Sequence, residues 1–255
     1  MMRNRWLTGV GVMLVIGMAL AVSSYTGTFN PSVATALAIM MVMGSFFVLP
    51  AGLYRGLNTE MKRTPSLWLQ TPESGWGMLT SKLVTSFVGG LLFIVVADLL
   101  AFIMLRIDLS RAMATMDSIQ REYAVVIQNE MPRVGLYATV TLLFLGMYTA
   151  LWVSTVYLCV KAVKKHLHKF SWLVGLVLIV IATWGLGAFE HTALYESLFG
   201  WGKFHAMSLF PSHVQSVITN HNDFLITSGH IVFDLIVMLV LFYVSGRLID
   251  RHVEV

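Results

Sequence analysis

The chain has 255 residues, of which 57% are hydrophobic and only 12% charged, about half the charged share of an ordinary soluble domain. Mean hydropathy is +0.76 and the net charge +4, a balance that excludes a soluble enzyme or a disordered chain and gives no argument for nucleic acid. A membrane span takes about 20 mostly apolar residues, and six runs qualify, at about 6–25, 32–54, 83–105, 134–160, 171–189 and 225–248. The expected fold is all-α: one domain over residues 1–255, a polytopic membrane bundle of six transmembrane helices in the cell membrane.

The first run follows Arg3 and Arg5, a start it shares with leader peptides, but five further runs favour reading it as a span. The loop Ser23–Pro31 is short and uncharged. With the N-terminus inside, twelve of the 17 basic residues fall on one side, from Arg3 through Lys62, Arg63 and the Lys161–Lys169 run to Arg251. Arg106, Arg111, Arg121, Arg133 and Lys203 fall on the other. Lysine and arginine concentrate on the cytoplasmic side, so both termini are predicted cytoplasmic. The KAVKKHLHK loop at 161–169 reads as an anchor at the lipid headgroups.

Between the third and fourth spans, Leu109, Met113, Met116, Tyr123, Ile127 and Met131 recur at near-helical steps. That predicts an outer amphipathic helix over 109–131, supported by an Asp117–Arg121 pair and closed by Pro132. The outer segment 190–224 mixes aromatics, glycines and histidines, and is expected to re-enter the membrane boundary as short helices. His191, His205, His213, His221 and His230 lie too far apart for a helical ligand pair, and no metal site is expected. Cys159 is the single cysteine, so no intramolecular disulfide can form.

Phosphate-loop, HExxH and GxSxG patterns are all absent, so no catalytic residue is assigned and any ATP hydrolysis belongs to another chain. Two acids stand inside predicted spans, Asp98 and Asp234. A charge at mid-bilayer costs at least ~2.5–3.5 kcal/mol, so each must face protein, a wet cavity or a basic partner. They line a candidate substrate path, or serve a stand-alone ion-coupled transporter or membrane sensor. A plain structural hydrogen bond to a neighbouring span is the alternative.

The polar stretch Tyr54–Lys82 interrupts the second and third runs. Thr64-Pro65 and Thr71-Pro72 are two helix-start signals. They predict a short helix over Leu67, Trp68 and Leu69, then a second one leading into the third span. Six residues do not hold a helix alone in water, so Leu67, Trp68 and Leu69 must be buried. The headgroup belt and a soluble partner, with Glu60, Lys62 and Arg63 as the charged rim, both fit from the residues alone.

Ser66-Leu67-Trp68-Leu69-Gln70-Thr71-Pro72-Glu73-Ser74 followed by Leu79-Thr80-Ser81-Lys82-Leu83 resembles the first inner loop of ABC-2-type exporter permeases of Gram-positive bacteria. The subgroup that exports phenol-soluble modulins or antimicrobial peptides is similar in size and layout. The resemblance implies that segment 55–82 is a coupling helix docking on a separate ABC ATP-binding subunit through Glu60, Lys62, Arg63, Pro65, Leu67, Trp68 and Leu69. It also implies a second permease copy, identical or different, with ATP and Mg held by the partner and membrane lipid around the bundle.

Overall fold

The computed structural model describes residues 3–26, 31–63, 74–167, 170–205 and 225–253. In chain order these form α1 (Arg3–Tyr25), α2 (Pro31–Ser45), α3 (Val48–Arg63), α4 (Gly75–Ala112), α5 (Ser118–Leu167) and α6 (Ser171–Val180). A π turn (Ile181–Gly185), α7 (Leu186–Glu190), α8 (Ala193–Phe199), strands β1 (Lys203–His205) and β2 (Leu225–Thr227), and α9 (Ser228–Val253) complete the fold. Among the described residues four helices are long and apolar enough to cross a membrane: Gly75–Ala112, Gln128–Lys164, Ser171–Glu190 and Ser228–Asp250. The bent pair α2–α3 raises that to five if it counts as one span.

Pro50 explains that bend. A proline has no N–H for the carbonyl four residues back, and its ring presses on that carbonyl. The carbonyl belongs to Phe46, and the helix breaks at Phe46-Phe47 with a 42° change of direction. Tighter turns fill the gap, with the N–H of Phe46 donating to Met43 at 3.3 Å and that of Phe47 to Gly44 at 3.1 Å.

The chain forms two compact units, residues 1–52 with 83–147 and residues 53–82 with 148–255. In the first, Met13, Val42, Ala97 and Leu100 make a core lined by Phe93 and Leu142. Ala34, Ala38 and Met104 make a second core with Leu20 and Ala21. Small residues let these helices approach closely, which is how helices associate once lipid supplies no hydrophobic drive. Leu49 of α3, 1% exposed, fills the notch left by two glycines. A Cβ on Gly90 of α4 would lie 2.7 Å from the Leu49 side chain, and one on Gly146 of α5 would lie 2.9 Å from it. At one rim of this unit Ser32 donates to Asp108 at 3.1 Å and Arg111 to the Tyr25 carbonyl at 2.6 Å.

In the second unit α5 and α9 meet along a polar seam. Thr155 and Ser245 share a 2.8 Å hydrogen bond, both buried. Such a bond satisfies two hydroxyls that hydrocarbon would otherwise leave unpaired.

Three expectations change. Residues 109–131 are not a separate helix: the first four complete α4, residues 113–117 turn, and the rest open α5. Asp117 stands just before α5 instead of pairing along a helix face, and its N–H donates to the Gln120 side chain at 3.4 Å, one half of a capping box. Pro132 does not close that helix, because α5 runs through it to Leu167. One proline forfeits one backbone bond, whereas a helix end strands up to four carbonyls. The expectation for 190–224 lies mostly outside the described residues; in its described part α8 is a short helix, and β1 is extended and pairs antiparallel with β2, Phe204 opposite Ile226.

Gly146→Leu should overfill the Leu49 notch and cost about 1–3 kcal/mol. It is read as a lower thermal midpoint in detergent. Leu49→Ala in the same background should restore part of the loss; strictly additive destabilisation would show that the two side chains do not share that space.

Candidate functional site

Glu60, Lys62 and Arg63 lie on the last turn of α3, with their side chains outside the described residues, as are Pro65, Leu67, Trp68 and Leu69 altogether. What the structure does describe is the point where the chain re-enters the fold. Ser74 stands just before α4, its hydroxyl accepting from the N–H of Gly77 at 3.4 Å. The N–H of Gly75 donates to Oδ1 of Asp250 at 2.5 Å. Placing a carboxylate against free N–H groups at a helix start is favourable because of both hydrogen bonding and the helix dipole. Glycine is required at 75, since a Cβ there would stand 2.8 Å from Ile249 and 2.9 Å from the Gly246 carbonyl.

One residue on, Trp76 leans on two rings of α9, Phe242 at 5.6 Å and Tyr243 at 5.2 Å between centroids. Asp250 and these three aromatics form a clasp that ties the start of α4 to the end of α9. The same end of this unit gathers two more helix ends. Tyr157 of α5 donates to Asn58 of α3 at 3.1 Å and meets Tyr54 edge-on at 5.1 Å. Gly56 of α3 faces the Lys82 stem of α4, with its Cβ position 3.5 Å away.

The two intramembrane acids belong to different units. Asp98 on α4 accepts the hydroxyl of Thr139 on α5. Asp234 on α9 faces His230 one turn earlier on the same helix, Nε2 to Oδ2 at 3.8 Å.

His230 belongs to a second cluster, at the head of α9. The Tyr195 hydroxyl lies 2.5 Å from Nδ1 of His230. Thr192 positions Tyr195 by capping α8, accepting its N–H at 3.2 Å. Phe189, Phe199 and Phe233 enclose the tyrosine ring, the last perpendicular at 5.2 Å. Burial is the main cause that pushes the Tyr195 hydroxyl above the ordinary tyrosine range, with the charges of Glu190 and Asp234 adding to it. Gly229 admits the α8 backbone so closely that any side chain there would strike the Phe199 carbonyl. Beyond α8, Lys203 holds Glu196 at 2.9 Å on the surface. That hydrogen bond, then the lysine charge, lowers the Glu196 carboxyl below its usual range.

Among the described residues no three of His, Cys, Asp and Glu gather as a metal-binding group. Comparison with family models, with curated proteins and with solved structures returns no match to the chain. The helices define a class, a helical protein with, among the described residues, four to five segments able to cross a membrane by length and composition.

Sequence reading overlooked Trp76, Asp250 and Tyr195, and weighed His230 only as a metal ligand and not as a neighbour of Asp234. A signal existed for that pair: His230 and Asp234 stand at the i,i+4 spacing that places side chains on one helix face. Nothing in the sequence pairs Gly75 with Asp250, 175 residues apart.

Trp76→Ala should empty the clasp and destabilise by about 3 kcal/mol, seen as a lower thermal midpoint, whereas Trp76→Phe should retain most of the stability. At the surface, the Glu196–Lys203 pair should persist above the lowered Glu196 range and part as pH falls through it. Carbon-13 shifts of the Glu196 carboxyl should show that titration return to the usual range in Lys203→Ala.

Proposed function

We propose that the chain is the membrane-spanning permease subunit of an ATP-driven exporter of the ABC-2 type. It has six spans and both termini in the cytoplasm. It moves an amphipathic substrate, such as a peptide, a toxin or a lipid-like compound, across the cell membrane. The observation that carries the reading is the clasp at Gly75 and Trp76, which fastens the residues just after the Leu67-Trp68-Leu69 motif to the end of α9. A coupling segment is useful only if a push on it moves spans. Here the first residues of α4, which follow that segment in the chain, are tied to α9. The basic bias of the chain assigns this end to the cytoplasm, where an ATPase would dock.

In this mechanism a separate ABC subunit binds ATP with Mg and closes. Leu67, Trp68 and Leu69 sit in its groove, rimmed by Glu60, Lys62 and Arg63. Closure shifts the segment, and α4 and α9 move with it. A second permease copy completes the path, which Asp98 and Asp234 line. Trp68→Ala should abolish export and recovery of the nucleotide-binding subunit with the tagged chain, while membrane insertion is unchanged. Undiminished recovery of that subunit with Trp68→Ala would sink the docking assignment.

A second reading, a stand-alone ion-coupled transporter, is favoured by the pairing of Asp234 with an ionisable neighbour, His230. It expects Asp234→Asn or Asp98→Asn to abolish a proton- or ion-dependent uptake in vesicles that contain this chain alone. Uptake that depends on an added ATPase would count against it.

A further inference from the structure

The cluster at the head of α9 has a direction. His230 is the third residue of α9 and Asp234 lies one turn further along, about 6 Å deeper by helical rise. The His230 side chain is 43% exposed and that of Asp234 only 18%. The imidazole is therefore the more accessible of the two groups and stands nearer the helix end. Tyr195 is 8% exposed and held by three phenylalanine rings, so its hydroxyl is fixed where it meets Nδ1. When that hydroxyl donates to Nδ1, the ring's own proton sits on Nε2, the nitrogen that faces Asp234. Other titratable groups facing this chain are Glu190 of α7, which acts on both Tyr195 and Asp234, and Tyr148 of α5, which faces Asp234 and Glu190.

We propose that Tyr195, His230 and Asp234 form a proton-loading site, in which His230 takes a proton from the water at the head of α9 and delivers it to Asp234. The Tyr195 hydroxyl turns aside, and a hydronium ion gives its proton to the freed lone pair on Nδ1, leaving water and an imidazolium. The Nε2–H bond then breaks and the proton forms an O–H bond with Oδ2 of Asp234, after a side-chain rotation closes the 3.8 Å gap. The imidazole is left neutral with its proton on Nδ1, donating to the Tyr195 oxygen. Release runs these steps in reverse. His230 is the carrier because its two ring nitrogens face the two partners, Nδ1 the Tyr195 hydroxyl and Nε2 the Asp234 carboxylate. Tyr195 is a positioning residue, selecting the tautomer that points the mobile proton inward. Asp234 is the store, and in its neutral form it avoids the cost of a charge among apolar neighbours. The site stands independently of the exporter reading, since no ATPase or second copy enters the argument.

The test uses the full chain in vesicles of neutral phospholipid and follows the protonated-carboxyl infrared band after a rapid drop in pH. The part of the band missing from Asp234→Asn reports Asp234. In His230→Gln that signal should rise at least tenfold more slowly, as expected when a positioned acid–base group is removed. Added imidazole buffer should restore the rate in His230→Gly and leave the wild type unchanged. Tyr195→Phe keeps the ring and its packing, and should slow the signal by a smaller factor at an unaltered thermal midpoint. Three results would overturn the proposal: no Asp234-dependent band at any pH, a wild-type rate in His230→Gln, or no rescue by imidazole.

Discussion

In hydrocarbon a peptide group has no partner except another peptide group or a buried side chain. Most of this fold follows from that constraint. The long helices leave few backbone groups unpaired, and where the chain departs from regular helix a substitute bond stands nearby. At Phe46-Phe47 two tight turns take over. In the π turn, whose wider ladder re-pairs the backbone, Thr183 bonds back to the Ile179 carbonyl at 2.9 Å. At the start of α9 the first N–H groups find the carbonyls of Gly202 and Trp201, at 3.1 and 3.3 Å. At the start of α4 the substitute is a side chain, Asp250.

Once the backbone is satisfied, contact between helices has to come from shape and from a few polar pairs. Leu49 in its glycine notch is the first kind, and the Thr155–Ser245 seam is the second. The aromatic groupings differ from both. Trp76 with Phe242 and Tyr243, and Tyr195 with its phenylalanines, each combine ring packing with a polar bond beside it. They occupy opposite ends of α9, and each fixes a segment that lies next to a stretch of polar chain. This helix therefore serves as the common support for both.

The sequence made the apolar runs legible because hydropathy over twenty residues is a sum and tolerates local exceptions. The spans read at 83–105, 134–160, 171–189 and 225–248 all fall on long helices, and the second run falls on the bent pair. A helix does lead into the third span, as the first turns of α4 from Gly75, while the Thr71-Pro72 signal lies outside the described residues. What failed were local signals judged one at a time. Pro132 reads as a stop only if a helix end is cheap. The clasp and the histidine cluster depend on residues brought together by the fold. Composition marks them only as aromatics near a boundary.

The break in the second apolar run also bears on the bilayer itself. Two helical segments of 15 and 16 residues, α2 and α3, are about 22 and 24 Å long by helical rise. They are joined at a point where Pro50 has removed a ladder bond. A span broken in this way can change its reach by flexing at one joint, whereas an unbroken helix does so by tilting as a whole. If α2 and α3 cross as one span, the 42° bend is the joint at which that span would follow the thickness of the hydrocarbon, and a single proline sets it.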